Sequence, residues 1–145
     1  MISLRPATAT DLEWAYQVKK QALGEYVVMT WGAWYEKIQH TFFTETFREL
    51  DSQVICWANE PAGLLRVERK KDEIFLSELY LLPLFQNLGI GSQLLESLKT
   101  EAHSRGIPLK LTVLQVNEPA RRFYERHGLV CSAEIEHHFV MTYHG

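Results

Sequence analysis

Cysteine is scarce in this sequence: there are two copies among 145 residues, and the six histidines stand at no metal-ligand spacing from them. Cys56 and Cys131 each lie in an apolar, strand-like run, so we expect buried free thiols rather than a disulfide, as in a reducing compartment. His137 and His138 are neighbours in another strand-like segment, where their side chains would point to opposite faces of a sheet. The sequence therefore predicts neither a disulfide framework nor a metal site.

Long apolar runs and an excess of positive charge are also missing. No stretch approaches the 18 apolar residues of a membrane-spanning helix, and residues 1–15 lack the apolar centre of a signal peptide. The formal net charge is −3 and the sequence pI is about 6.1, whereas most nucleic-acid-binding domains are basic. We therefore expect a cytoplasmic protein without a membrane or a general nucleic-acid partner, and the length predicts a single domain over residues 1–145.

Apolar residues recur with a helical period in some segments and with a strand period in others. A capping-box pattern at Thr10–Glu13 opens the first predicted helix, Gly24 is expected to end it, and residues 25–32 are expected to be irregular. A second helix is predicted from Ala33 to Leu50. The whole pattern predicts a mixed α/β sheet flanked by helices, with strands at about residues 2–5, 53–58, 63–70, 74–82, 109–113, 129–135 and 139–143, a turn at 59–61, and further helices at about 91–106 and 117–128.

A glycine-punctuated turn, QNLGIG at residues 86–91, follows a strand-like run and precedes an amphipathic helix. This order places free backbone N–H groups at the positive end of a helix, and the glycines let a ligand approach the backbone, which suits a phosphate. The alternative is that Gly89 and Gly91 only shape a tight turn. No acidic residue follows at the distance that a dinucleotide fingerprint needs, and no Gly-Lys-Ser/Thr follows as in a Walker loop.

A second motif, NEPARRFYERHGL, spans Asn117–Leu129 and predicts a helix that Asn117 caps, with Pro119 in its first turn and Gly128 after its end. Together, the glycine turn and this motif resemble the GCN5-related N-acetyltransferase (GNAT) superfamily, whose members transfer an acyl group from coenzyme A to an amine. The resemblance follows the whole chain in the order of its elements, with specific motifs from Glu78 to Leu129. It implies an acyl-CoA N-acyltransferase fold with a central, mostly antiparallel sheet, acetyl-CoA as co-substrate, and no metal.

By this resemblance, the glycine turn and the strand before it bind the coenzyme. Main-chain groups near Leu81 and Leu82, freed by a bulge in the strand, would polarise the thioester carbonyl. Asn117 matches the asparagine that contacts the pantetheine arm, although its side chain is also a plain helix cap. The expected coenzyme-binding residues are Leu81, Leu82, Gln86, Asn87, Leu88, Gly89, Ile90, Gly91, Ser92, Asn117 and Arg122.

The sequence departs from its family at Asn87 and Leu88, where relatives usually carry small or basic residues. Without those charges, the 3′-phosphate of the coenzyme needs another cationic partner. We expect Arg122 to serve, with Arg121 and Arg126 as alternatives, unless each of them only covers a solvated helix face.

Two residues match catalytic positions of the superfamily. Tyr124 matches the tyrosine that protonates the departing sulfur, and a phenol with a pKa near 10 stays protonated at neutral pH, whereas a thiol has a pKa near 8.5. The alternative is a buried structural tyrosine; His127, next to the helix end, is a weaker substitute. Glu78 is the candidate base, and its alternative is a surface charge or a structural ion pair. Deprotonating an amine of pKa 10.4 at pH 7 costs about 4.6 kcal/mol, which one carboxylate, directly or through a water, can assist.

Aromatic residues are concentrated between Tyr26 and Phe47. Most are expected to pack in the core, but in the superfamily the first two helices and their connection form a wall of the acceptor site. We therefore expect Trp31, Tyr35 and Tyr80 to contact the substrate, where aromatic rings can hold an apolar group or a cation.

The expected acceptor is a primary amine of a small molecule, such as a polyamine or an amino acid, which attacks the thioester within a ternary complex. The alternatives are acetylation of a protein or peptide amine and a non-catalytic acyl-CoA-binding sensor. A sensor would need neither Tyr124 nor a base, so the presence of Tyr124 favours an enzyme. The sequence is compatible with a homodimer, which is common among such enzymes.

Overall fold

The computed structural model describes residues 1–49 and 51–145, so the predicted end of the second helix at Leu50 lies outside the described residues. Within these residues there are four α-helices and seven strands. The helices are α1 (Leu12–Trp31), α2 (Glu36–Glu49), α3 (Ile90–Arg105) and α4 (Glu118–Arg126). The strands are β1 (Ile2–Pro6), β2 (Gln53–Trp57), β3 (Glu60–Arg69), β4 (Ile74–Leu81), β5 (Leu109–Leu114), β6 (Val130–Ile135) and β7 (His138–Tyr143).

The strands follow the order β1-β2-β3-β4-β5-β7-β6 in a mixed sheet. Strand β2 pairs antiparallel with β1 and with β3, and β7 pairs antiparallel with β5 and with β6. Strands β4 and β5 form a parallel pair at Ile74–Leu109 and Phe75–Lys110. The predicted fold class, a mixed and mostly antiparallel sheet with flanking helices, is therefore confirmed.

The chain forms two compact units. The first comprises residues 1–66 and 78–88, and the second comprises residues 67–77 and 89–145. The prediction of a single domain over residues 1–145 stays a prediction.

Aromatic side chains build much of the core of the first unit. Tyr16 and Phe43 are buried, with ring centroids 5.8 Å apart, and Ala15 and Leu64 complete the cluster. The indole N–H of Trp34 donates a hydrogen bond of 3.0 Å to the Tyr16 hydroxyl, which satisfies both polar groups where the rings are packed. Helices α1 and α2 therefore pack together through aromatic rings.

The second unit is built around the apolar face of α3 and strand β5. Leu94, Leu95, Leu98 and Ala102 recur at helical spacing and are buried, as the sequence pattern predicts. Helix α3 ends at Gly106, whose φ of +67° is a left-handed conformation that glycine adopts without strain.

The predicted end of the first helix was wrong, and its capping box lies two residues earlier than predicted. Helix α1 continues through Gly24 to Trp31 and ends at Gly32, whose φ is +89°. At its start, the Thr8 N–H donates a 2.8 Å hydrogen bond to Asp11 Oδ2, so the chain turns at Thr8–Asp11 and not at the predicted Thr10 box. Burial of Val27 on the later turns explains why the helix outlasts a mid-helix glycine, whose cost is only about 1 kcal/mol.

Two other predictions also need correction. The turn between β2 and β3 is formed by Ala58 and Asn59, both with positive φ, while Pro61 belongs to β3. Cys56 is a buried free thiol as predicted, but Cys131 is exposed on β6, every residue of which is exposed. An apolar strand pattern indicates a strand, but it does not reveal whether another layer covers it.

Candidate active site

The glycine turn leads directly into α3, and its backbone has the left-handed conformations that the sequence suggests. Asn87 has a φ of +62° and Gly89 a φ of +81°, and Gly89 caps the helix. At the start of α3, the Gln93 N–H donates an i to i−4 hydrogen bond of 3.0 Å to the Gly89 oxygen. The N–H groups of Ile90, Gly91 and Ser92 therefore belong to the first turn, where a helix has no internal acceptor for them. A Cβ added to Gly89 would meet no atom within 4 Å, so the backbone there can be approached closely.

Two of the predicted coenzyme contacts are engaged within the protein. The Gln86 side chain donates a 3.0 Å hydrogen bond to the main-chain oxygen of Leu81, so it fastens the turn to the end of β4. The Leu82 N–H donates to the main-chain oxygen of Ala62 at 2.9 Å. The prediction that a bulge frees the Leu82 N–H for the thioester carbonyl is therefore wrong, whereas the proposed role of Leu81 stays a prediction.

Helix α4 places Asn117 and Tyr124 as the second motif suggests. Asn117 is buried at the cap, and its Oδ1 accepts a 3.3 Å hydrogen bond from the Ala120 N–H, which leaves its amide N–H₂ for another acceptor. Tyr124 is half-buried beside Phe123, with ring centroids 5.3 Å apart. Burial of the phenol raises the pKa of Tyr124 to about 12, so the hydroxyl remains a proton donor over the physiological range.

A series of hydrogen bonds joins the first turns of α3 to the end of α4. Ser92 Oγ lies 3.1 Å from His127 Nε2, and His127 Nδ1 lies 2.6 Å from Glu96 Oε2. Lys99 Nζ contacts the same Glu96 oxygen at 3.0 Å. Hydrogen bonds from His127 and then Lys99 lower the pKa of Glu96. The sequence analysis missed this group, although Ser92 and Glu96 at i, i+4 spacing share a helix face.

Glu78 is buried and belongs to the first unit. Along β4 it continues the alternation of the buried residues Ile74 and Leu76. Its Oε1 lies 3.5 Å from an Arg66 guanidinium nitrogen, with side-chain exposures of 6% and 12%. Burial raises the pKa of Glu78, and the charges of Arg66 and Lys19 act in the opposite direction. Burial also lowers the pKa of Lys19, which the charge of Glu78 partly offsets.

Arg66 and Lys19 were missed by the sequence analysis. A signal for Arg66 was available, because β3 and β4 are joined by a short turn, and residues at similar distances from that turn come close across a hairpin. No comparable signal exists for Lys19, since it lies on a helix distant in sequence.

The three residues predicted to contact the substrate differ in their surroundings. Tyr80 packs against the aromatic core cluster of the first unit. Trp31 and Tyr35 lie on either side of the connection between α1 and α2 and are 46% and 58% exposed. Their exposure shows that neither ring is packed in the core. Trp31 and Tyr35 therefore stay candidates for contact with the substrate at the protein surface.

Arg122, predicted to bind the 3′-phosphate, is exposed on α4, where its guanidinium lies 3.7 Å from a Glu118 carboxylate oxygen. Such an exposed pair contributes little to stability, so Arg122 can exchange Glu118 for another anion at small cost.

The comparisons with known proteins identify the class of protein that these elements form. The sequence matches the Acetyltransferase (GNAT) family over residues 12–129. The chain therefore belongs to this family and is an acyltransferase of the N-acetyltransferase type. No curated protein matches its sequence.

Solved structures of the same fold agree along almost the whole chain. The PaiA N-acetyltransferase of Thermoplasma acidophilum, in complex with coenzyme A, superposes with a TM-score of 0.76 at 19% identity, covering 100% of this chain and 99% of that one. A GNAT family acetyltransferase of Elizabethkingia anophelis with acetyl-CoA bound gives 0.68 at 17% identity, covering 99% and 98%. The ribosomal-protein-S18-alanine N-acetyltransferase of Escherichia coli gives 0.67 at 24% identity, covering 98% and 92%. At these identities the likeness shows the fold, and the acceptor named for each belongs to that protein.

Residues 1–49 and 51–145 contain no group of three or more His, Cys, Asp or Glu side chains placed to hold a metal ion. In the same residues, no helix combines the length and apolar character that crossing a bilayer requires.

Proposed function

We propose that this enzyme transfers the acetyl group of acetyl-CoA directly to a primary amine of a small molecule, such as a polyamine or an amino acid. The observation that carries the proposal is the buried carboxylate of Glu78. Its Oε1 and the Nε of Arg66 have no hydrogen-bond partner among the described residues, although the two side chains form an ion pair. A primary amine at the end of an unbranched carbon chain would supply the missing hydrogen-bond donor to the Glu78 carboxylate.

Glu78 is suited to accept the proton that the amine loses. A carboxyl with a raised pKa is a stronger base than an exposed carboxylate, and perturbed carboxyls are common at functional sites. The charges of Arg66 and Lys19 oppose the effect of burial on the pKa of Glu78 and so favour the ionised carboxylate that general-base catalysis uses. Glu78 accepts the proton either directly or through a water.

Tyr124 is suited to stabilise the leaving sulfur as a hydrogen-bond donor. Acetyl-CoA supplies the activated acyl group as a thioester, and no covalent intermediate with the protein is required. Because the phenol of Tyr124 is held neutral, with a pKa of about 12, it donates a hydrogen bond as negative charge develops on the sulfur.

The residues of the glycine turn fit the phosphates of coenzyme A. The N–H groups of Ile90, Gly91 and Ser92 stand at the positive end of a 16-residue helix, and the open approach at Gly89 admits a phosphate to the backbone. The remaining amide hydrogens of Asn117 suit the carbonyl groups of the pantetheine arm, and Arg122 suits the 3′-phosphate.

The test is the release of free thiol from acetyl-CoA across a panel of polyamines, amino acids, aminoglycosides and short peptides. We expect turnover with one class of small amine. Tyr124→Phe should lower kcat at least tenfold while coenzyme affinity stays within about twofold, since the hydroxyl acts on the leaving group. Glu78→Gln should lower kcat about 100-fold.

The matched control is Tyr26→Phe, which removes a phenolic hydroxyl from α1 and should leave kcat unchanged. Turnover confined to peptides would replace the small amine by a protein acceptor. Coenzyme A binding without turnover of any amine would support the sensor alternative, and no binding at all would contradict the proposal for both motifs.

We further propose a cytoplasmic location, where acetyl-CoA meets its acceptor and where free thiols such as Cys56 and Cys131 stay reduced. A homodimer stays a prediction.

A further inference from the structure

The hydrogen-bonded side chains of Ser92, His127 and Glu96 have no role in the chemistry proposed above. His127 is 17% exposed and is held from three directions: by Glu96 at 2.6 Å, by Ser92 at 3.1 Å and by the Phe123 ring at a centroid distance of 4.8 Å. Ser92 lies in the first turn of α3, among the N–H groups assigned to the coenzyme phosphates.

The protonation state of His127 determines which way the Ser92 hydroxyl hydrogen points. The carboxylate of Glu96 can only accept, so Nδ1 of His127 carries a hydrogen and donates it. In the neutral imidazole, Nε2 is then an acceptor and takes the hydroxyl hydrogen of Ser92. In this state, a phosphate oxygen placed next to the hydroxyl would meet only its lone pairs, which is a repulsive contact. In the imidazolium, Nε2–H donates to Ser92 Oγ, which frees the hydroxyl hydrogen for the phosphate.

We propose that His127 is a positioning residue for the coenzyme: a phosphate bound at the start of α3 draws a proton onto His127 Nε2, and the Ser92 hydroxyl turns to donate to that phosphate. The proton comes from solvent, and Glu96 holds the imidazolium. This inference rests on the proposed coenzyme site, and it makes coenzyme affinity depend on pH.

The charged groups around His127 are compatible with this cation. Glu96 faces it from α3, and Lys99, also on α3, neutralises part of that carboxylate. Lys99 is in turn placed over the Tyr143 ring of β7, 4.8 Å from its centroid. On α4 itself, the charged neighbours of His127 are Glu125 and Arg126. Among the described residues, the carboxylate in hydrogen-bond contact with the imidazole is therefore that of Glu96, and Lys99 opposes its charge.

The experiment is calorimetric titration of the intact protein with dephospho-coenzyme A between pH 5.5 and 8.5, in buffer pairs of different ionisation enthalpy. Dephospho-coenzyme A lacks the 3′-phosphate monoester, which titrates in this range itself. We expect net proton uptake on binding and an affinity about five- to tenfold higher at the acidic end, because a charge-assisted hydrogen bond to the phosphate replaces a repulsive contact.

Three variants separate this role from a structural one. His127→Gln fixes an amide in place of the imidazole and should bind without proton uptake. Ser92→Ala keeps His127 and Glu96 but removes the hydroxyl, so it should lose most of the pH dependence. His103→Gln changes an exposed histidine at the other end of α3 and should behave as the wild type.

Full pH dependence in Ser92→Ala would overturn the proposal, since the imidazolium would then act by charge alone. Binding without proton uptake in the wild type would also overturn it, while leaving the proposed function intact. Failure of the wild type to bind would instead contradict the proposed function. Hydrolysis of acetyl-CoA without an amine, if it required Ser92, would indicate a nucleophilic triad and overturn the positioning role.

Discussion

Asp11 lies immediately before α1, and its carboxylate accepts two hydrogen bonds from the guanidinium of Arg5, at 2.9 and 3.0 Å. It also accepts the Thr8 N–H at 2.8 Å. The Arg5 hydrogen bonds lower the pKa of Asp11 from 3.8 to about 2. One side chain thus joins β1 to the start of the first helix.

The lowered pKa predicts a pH-dependent contribution to stability. A carboxyl with a depressed native pKa stabilises the fold above its unfolded pKa, and this contribution is lost as the pH falls from about 4 to 2. The upper limit is about 2.4 kcal/mol, and because Arg5 is 43% exposed we expect about 1 kcal/mol. Asp11→Asn should therefore lower the free energy of unfolding by about 1 kcal/mol at pH 7, measured by urea denaturation.

At pH 2.5 the difference between Asp11→Asn and the wild type should fall to less than about half, since Asp11 is then protonated in the unfolded chain and the pH lies close to its native pKa of about 2. Asp72→Asn, in the exposed turn before β4, is the control and should change stability little at either pH. An equal loss in Asp11→Asn at both pH values would show that the charge is not what stabilises the helix start.

At the residue scale, the sequence predicted the contacts of a side chain where its partners are close to it in sequence. Asn117 caps its own helix, whereas the role that the FYERHG context suggests for Tyr124 stays a prediction. Gln86 was predicted to meet the coenzyme, but its amide is bonded to Leu81. The partners of Glu78 also escaped prediction, because a long-range ion pair depends on the tertiary packing and leaves no trace in spacing.

At the scale of elements, two glycines in ordinary backbone conformations have opposite roles. A Cβ on Gly63 in β3 would collide with the main-chain oxygen of Tyr80 and lie 3.1 Å from Leu81 Cα. A Cβ on Gly24 in α1 would meet nothing nearer than Lys20 Cγ at 4.0 Å. One position therefore requires glycine for close approach of strands, and the other tolerates a side chain.

Gly24→Ala should raise the free energy of unfolding by about 0.5–1 kcal/mol, because alanine loses less backbone entropy in a helix. Gly63→Ala should lower it by at least about 2 kcal/mol, because two strand backbones would have to separate. Thermal and urea unfolding of the two variants measure both effects. A destabilised Gly24→Ala would mean that the α1 glycine meets a partner other than Lys20, and an unchanged Gly63→Ala would contradict the close approach.

Element types were predicted better than element ends. The apolar face of α3 and its terminal Gly106 agree with the sequence pattern, since periodicity and a left-handed glycine act together there. Helix α1 was predicted too short, because glycine is only a weak helix breaker and burial beyond it outweighs its cost. Pro61 was assigned to a turn, yet it stands in β3 opposite Cys56.

At the scale of the whole molecule, coenzyme binding should appear as stabilisation of the fold. A ligand that binds only the folded chain at 100 times its Kd contributes about 2.7 kcal/mol, which for a chain of this length raises Tm by about 5–10 °C. We expect coenzyme A to produce such a rise, with a size that grows with the logarithm of its concentration. Scanning calorimetry measures it.

ADP and NAD are the controls, since each offers a pyrophosphate without the pantetheine arm. We expect a smaller shift with ADP and with NAD than with coenzyme A at equal concentration. Equal shifts with all three ligands would indicate a nucleotide site and would contradict the assignment of Asn117 to the arm.

The order of strands and helices was predictable because each segment carries its own periodicity and the two motifs fix the family. The two units, residues 1–66 with 78–88 and residues 67–77 with 89–145, were not predictable. Two of their three boundaries fall inside β3 and β4, where neither a linker nor a change in composition marks the sequence.

The exposure of Cys131 has a practical consequence for measuring this enzyme. An aromatic disulfide reagent that counts the coenzyme thiol will also react with the Cys131 thiol on β6, whereas Cys56 is buried and is protected from it. Each protein molecule then adds the absorbance of one reacted thiol before any acetyl-CoA is turned over. The Cys131→Ser variant removes this background. In the wild type, the exposed Cys131 thiol instead gives a specific attachment point for a fluorescent label on an edge strand.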